Sequence, residues 1–568
     1  ISMVQYQSII YNRYKWWSWL LFSFIILFIL LPELQLFIFA ITDWQHGRNS
    51  NLWHVLSNPL TWTALYNSLY TSGLGALFSL LLGNLFAFCL VLTNIRIKQI
   101  AFFLVMLPMM IPPQITAMSW LQLFRQIGIL FNSIYLSQGF GWPNPLYSAE
   151  GIALLLGIQN TPLVFLLIQT QLKYLPQEYI ETARLSGASF WQTFHDISLP
   201  LCRSTIWAGA AIAFVSSLGN FGIPAMLGIP ISLLVLPVYI YQILSSFGPA
   251  VLNEVAALSV LTGVLTIGIM ILQKHMQQYC ALPLIGTTDN SLIFSLQSKW
   301  RIVIEILLSA LLFSIVIAPL LALIATSLVP TTGVILNSDT FTLSAWKIIF
   351  DTQTCRAILN SLLLSVSSSL ILMLLSLPLA WLFVRHPTRS LLCLYNILDI
   401  PYALPGVVLA ISFIVLFAHP LPLLDISLNG TLTIIFFAYI ARFFTVCIKP
   451  VYSCMLQLDA TMEEAASLAG ANVFQQFSHI VVPLLGPTAF SGAFLVFLST
   501  IHELTVSALL WGPGKETLGV IIFNLNESGD IVQASAISVL VVIIVVLTML
   551  LLNICSKFFP KGFMQWQN

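Results

Sequence analysis

The sequence predicts an all-α integral membrane protein of about twelve transmembrane helices, arranged as two related halves of six. Three observations carry that prediction. The 568-residue chain is 58% hydrophobic and only 7% charged, whereas an ordinary soluble domain carries roughly a quarter of its residues as charges. Apolar runs long enough to cross a bilayer recur along the whole length. Short motifs in the first half return in the second at a nearly constant shift.

A membrane helix needs about 20 mostly apolar residues. In the first half such runs lie near 16–41, 63–93, 99–124, 151–173, 204–227 and 254–273. In the second they lie near 302–328, 358–384, 391–418, 432–455, 487–511 and 532–555. The first run exceeds a signal-peptide core and lacks a small-residue cleavage site, so an uncleaved span is expected. The opening Ile1 implies a native start further upstream. Arg48, Arg125, Lys347, Arg356 and Lys515 fall on one side of this arrangement, and Arg442 falls inside a span. The remaining Lys and Arg residues fall on the opposite side, which the positive-inside rule makes cytoplasmic, with both termini. Trp16, Trp17, Trp19 and Trp300 suit interface anchors.

Six spans return the chain to its starting side, so the halves form a parallel repeat. Asn67-Ser68-Leu69 opens the second span as Asn360-Ser361-Leu362 opens the eighth, and Pro108 and Ala117 match Pro401 and Ala410. The first half is longer around 125–149. The predicted organisation is an N-terminal half over 1–276, a polar cytoplasmic linker over 277–300 and a C-terminal half over 301–568. A net charge of +1 argues against a nucleic-acid partner. The eight cysteines are scattered without a C-x-x-C pair and suit apolar packing rather than a disulfide frame or metal site.

The most specific signal lies in two inner loops, about 175–203 and 458–486. The first reads Glu181-Thr182-Ala183, then Gly187, then Ile197-Ser198-Leu199-Pro200. The second reads Glu464-Ala465-Ala466, then Gly470, then Ile480-Val481-Val482-Pro483, with identical internal spacing. Thr461 and Glu464 have capping-box spacing, so a short helix is expected to start there. Met462, Ala465, Ala466 and Ala469 then share one helical face of mostly small residues, which lets another surface approach the backbone. Gly187 and Gly470 suit a helix-ending turn with positive φ.

Both loops resemble the EAA loop of ATP-binding-cassette (ABC) importer permeases, the sequence being similar to the ferric iron and thiamine types with two fused halves. The resemblance implies a type I importer permease fold and a bacterial inner-membrane location. It implies that Glu181, Ala183, Gly187, Pro200, Glu464, Ala465, Ala466, Gly470 and Pro483 couple to a cytoplasmic ATPase. The implied partners are two copies of that ATPase, which would carry ATP and Mg, and a periplasmic or lipid-anchored solute-binding protein. Ferric iron is the first choice of cargo, thiamine or another small solute the second.

Polar groups inside spans are costly and therefore functional candidates. Glu503 follows Ile501-His502, and its repeat mate is Asn220 in Gly219-Asn220-Phe221-Gly222. Each is expected either to line a translocation path or to serve structure, Asn220 through a neighbouring carbonyl and Glu503 at a wet rim. Asp399 precedes the span-breaking run Ile400-Pro401 to Pro405-Gly406, whose freed carbonyls need protein or water. Arg442 must snorkel, line water or meet an acid such as Glu503. No G-x-x-x-x-G-K-[ST] loop is present, no Cys/His cluster has metal-ligand spacing and no catalytic residue is assigned. A gradient-driven secondary transporter also fits twelve spans and a parallel repeat, yet gives no reason for two registered EAA loops.

Overall fold

The structure is a computed structural model that describes residues 23–134, 144–173, 182–183, 185–187, 192, 195–196, 199–246, 251–280, 297–385, 387–418, 427–501 and 503–555. Glu181, His502, most of the linker and Trp16, Trp17 and Trp19 lie outside them. Among the described residues there is no strand.

The first half comprises α1 (Ser23–Trp44), α2 (Pro59–Leu92), α3 (Lys98–Met110), α4 (Pro113–Ile134), α5 (Ala149–Lys173), α6 (Leu199–Leu218), α7 (Gly222–Gly228), α8 (Leu236–Leu244) and α9 (Val251–Cys280). The second comprises α10 (Ser298–Ser327), α11 (Thr352–Arg385), α12 (Leu391–Ala403), α13 (Gly406–Leu416), α14 (Leu432–Gln457), α15 (Thr461–Leu468), α16 (Val473–Thr500), α17 (Ser507–Leu510), α18 (Leu518–Glu527) and α19 (Ile531–Cys555). Ten of these helices are long and apolar enough to cross a membrane singly.

Two expected spans are broken, the second at the span-breaking run Ile400-Pro401 to Pro405-Gly406 and the first without such an expectation. The run 99–124 bends by 109° between α3 and α4, and 391–418 bends by 106° between α12 and α13. The cause is the same in both: a residue before proline is pushed out of the helical region. Ile111 before Pro112 and Leu404 before Pro405 both hold extended ψ values, 135° and 146°. The expected spans 204–227 and 487–511 also end early, at Leu218 and Thr500, and α7 and α17 follow as separate short helices. The pieces α8 and α18 were not expected as elements.

The repeat extends to local detail. A π-turn precedes a proline in α1 (Ile26–Leu30, then Pro32), in α10 (Phe313–Ile317, then Pro319) and in α16 (Phe477–Val481, then Pro483). Proline lacks an N–H and crowds the carbonyl one turn back, and the wider turn relieves both problems. Asn67 donates to the Leu234 carbonyl (2.9 Å) and Ser68 Oγ accepts from Leu236 N (2.7 Å). Asn360 and Ser361 do the same for the Glu516 carbonyl (2.9 Å) and Leu518 N (2.8 Å). Each Asn-Ser pair thereby pins the start of α8 or α18.

Packing between α2 and α5 follows the membrane rule that small residues allow backbones to meet. Ser79 Oγ on α2 donates to the Gly157 carbonyl on α5 at 2.9 Å. The halves interlock through their first spans. α1 lies against α13 and α14, with Phe28 stacked on Phe437 at 4.0 Å. α10 lies against α4, where Thr326 donates to Gln122. One buried apolar cluster runs through both halves, from Leu36 and Ile115 to Val407 and Ile522.

Candidate translocation and coupling site

The second proline break packs against the first half just after α6. Gly219, just before Asn220, packs so closely that a Cβ there would lie 3.2 Å from Pro405 Cα. Phe221, Tyr241 and Phe523 form an aromatic group beside them, with ring centroids 5.1–5.8 Å apart. Tyr241 and Phe523 occupy matching places in α8 and α18, so their contact marks the pseudo-twofold axis.

Asn220 and Glu503 have the same local role. Asn220 Oδ1 accepts from Ile223 N (3.1 Å) at the start of α7. Glu503 Oε2 accepts from Val506 N (2.9 Å) and Ser507 N (3.4 Å) at the start of α17. A side-chain oxygen at a helix start satisfies donors that have no intrahelical partner, which explains why both halves keep a polar residue there. Glu503 has a second role, because its Oε1 lies 3.7 Å from Arg442 Nη1. Their side chains are 7% and 21% exposed, so the pair is sheltered. The guanidinium lies over Gly406, in space that a Cβ on residue 406 would fill.

The mate of Arg442 in the repeat is Gln159, which the sequence reading missed. Gln159 Nε2 donates to the carbonyls of Pro108 (2.7 Å) and Ile111 (3.0 Å), and its Oε1 accepts from Thr116 (2.9 Å). It thus satisfies carbonyls freed by the α3–α4 break, as a span at membrane depth requires. Its signal was positional, a polar residue matching Arg442 across the repeat. Asp399 does not join this cluster. It pairs with Lys449 of α14 at 2.9 Å, both half-exposed.

In the second EAA-like loop the expected capping box is absent. Thr461 is the first residue of α15, and Asp459 Oδ1 accepts its N–H (3.0 Å). Asp459, upstream, takes that donor, and the hydrogen bond holds its carboxyl below the usual carboxylate range. Glu464, thereby released, is exposed, as is Ala465, while Ala466 is half-buried. A reciprocal box does occur further on, between Asn472 and Gln475, at 2.8 Å each way. Gly187 and Gly470 have φ of +86° and +89°. In the first loop Ala183 is half-buried, and Pro200 sits in the first turn of α6. Leu185 and Leu468, mates just before these glycines, are 90% and 91% exposed.

The chain matches the model of the family described as binding-protein-dependent transport system inner membrane component, once over residues 75–279 and again over 373–564. It is 24% identical over 536 residues to the ferric transport system permease protein FbpB of Actinobacillus pleuropneumoniae, covering 93% of this chain and 76% of that one. It is 30% identical over 172 residues to the molybdenum transport system permease protein ModB of Escherichia coli, covering 30% of this chain and 72% of that one.

Proposed function

Since the chain belongs to the family of binding-protein-dependent transport system inner membrane components, as the fused two-half permease of a type I ABC importer, we propose that it moves ferric iron, delivered by a binding protein, inward along its pseudo-twofold axis. The supporting observation is the likeness to a ferric transport permease over 93% of the chain, across both halves. Two copies of an ATPase dock on the exposed knobs, Leu185 and Leu468 presenting apolar side chains to them and Glu181 and Glu464 flanking them. Both termini lie on that cytoplasmic side.

Asn220, Glu503, Arg442 and Asp399 border the path. Phe221, Tyr241 and Phe523 close it at the axis in the arrangement seen here. ATP-driven closure of the ATPase dimer draws the knobs together. The breaks at Pro112 and Pro405 let α4 and α13 swing without loss of helical bonds, because those bonds are already interrupted there. The polar groups at the breaks hold the freed backbone throughout.

Reconstitution with the partner ATPase and binding protein tests this. Uptake of radioactive ferric iron should require all three components and cease when the ATPase cannot hydrolyse ATP. Uptake that persists without hydrolysis would support an ion-coupled secondary transporter instead. ATP-dependent uptake of thiamine but not of iron would reassign the cargo alone.

A further inference from the structure

The two halves share a backbone plan but not its electrostatics. Apart from the exposed neighbours His195 and Asp196, every ion pair among the described residues lies in the second half. Where that half has Arg442 with Glu503 and Asp399 with Lys449, the first has Gln159 with Asn220 and Met106 with Leu166. The third pair is the most consequential, because it sits on a coupling loop.

At the inner end of α11, Arg385 Nε donates to Glu463 Oε1 (2.8 Å) and its Nη2 donates to the Leu458 carbonyl (3.0 Å). One turn earlier, Trp381 Nε1 donates to Glu463 Oε2 (2.9 Å), and the Trp381 ring meets Phe477 edge-on at 6.3 Å. Leu458 is the entry to the loop, Glu463 lies in its helix and Phe477 is on the exit. Two side chains of one span therefore grip the loop at entry, body and exit. Arg385 and Glu463 are 17% and 13% exposed, and charge-assisted bonds this short and sheltered hold geometry firmly. The mates in the first half are Phe88, Leu92 and Ile180, none of which can form such bonds.

We propose that Trp381, Arg385 and Glu463 are positioning residues that make the second coupling knob move as one body with α11. The second knob then transmits the ATPase stroke rigidly into its half. Glu463, turned inward, does this, while its neighbour Glu464 stays exposed. The inference rests on the docking reading above.

The test uses the whole transporter, permease with ATPase and binding protein, in lipid nanodiscs and proteoliposomes. Spin labels at Phe474→Cys and Leu374→Cys, both exposed, in a cysteine-free background, report the distance from knob to span by pulsed EPR. A narrow distribution that does not move with nucleotide is expected with the lock intact, and a broadened, nucleotide-dependent one in Glu463→Gln. In liposomes, Glu463→Gln should lower ferric iron uptake per ATP hydrolysed by about fivefold or more, with co-purified ATPase held within about twofold. Exchanging the charges, Arg385→Glu with Glu463→Arg, should recover part of that loss. Trp381→Phe keeps the ring contact, removes one donor and should shift both readouts less in the same direction; it decides the matter if Glu463→Gln fails to insert. An unchanged distance distribution and unchanged uptake per ATP would overturn the lock. Failure of the unsubstituted permease to hold its ATPase would overturn the docking reading instead.

Discussion

Gly406→Ala probes the sheltered charge at the second helix break. A Cβ built there would lie 1.5 Å from Arg442 Nη1, 2.6 Å from its Cζ and 3.0 Å from Thr505 Cγ2. Ordinary heavy-atom contact requires the guanidinium to retreat by about 2 Å. The Arg442–Glu503 separation is already 3.7 Å, so that retreat breaks the pair. Glu503 cannot follow, because its other oxygen is held by Val506 N. Unpairing a buried charge costs about 2–5 kcal/mol and overpacking about 1–3 kcal/mol; with partial relaxation of the long side chain, a cost of about 2–4 kcal/mol is expected. The assay is equilibrium unfolding in mixed detergent–SDS micelles, run as a double-mutant cycle with Arg442→Ala. Without the guanidinium the two closest atoms are gone and the next is the Thr505 methyl at 3.0 Å, so the cost should fall below about 1 kcal/mol. An equal cost in both backgrounds would refute the placement of Arg442 over Gly406.

Three further outcomes are expected. Gly157→Ala places a Cβ 2.4 Å from Phe78 Cβ and 3.1 Å from the Gly75 carbonyl, so α2 and α5 must part at a cost of about 1–3 kcal/mol, measurable in the same micelles. Asn220→Ala removes the acceptor for Ile223 N and should cost about 1 kcal/mol, while Asn220→Asp should retain most of the stability. Gly470→Asp forces a side chain onto a backbone at φ +89°; the permease should insert normally but lose its ATPase on co-purification, and full retention would count against the docking site.

Much of the architecture was legible in the sequence because lipid imposes a simple rule. Runs such as 63–93 and 532–555 can be read from apolar length alone, and the EAA loops from registered spacing. The breaks were half-legible. Pro401 and Pro405 marked the second, whereas 99–124 read as one span because Pro112 and Pro113 sit within an otherwise continuous apolar run. The helices α8 and α18 are too short for a span criterion, and their starts are fixed by the long-range bonds of Leu236 N to Ser68 and Leu518 N to Ser361. Among side chains, the conjunction of Arg442 and Glu503 was foreseeable, since a lone arginine at that depth needs an acid. Gln159 was missed because a neutral amide carries no comparable penalty, and its role depends on which carbonyls the α3–α4 break exposes. Glu463 and Glu464 are adjacent and chemically identical; which one turns inward depends on the helical phase that Asp459 sets at the start of α15.

The central claim is that the paired knobs are the docking sites of the ATPase, and cysteine cross-linking in native membranes tests it most directly. With the eight native cysteines replaced, Leu185→Cys and Leu468→Cys should each cross-link to the co-expressed ATPase, with yields that change when ATP is added. Cross-links to neither, or labelling of these positions by a membrane-impermeant thiol reagent applied from outside, would contradict it.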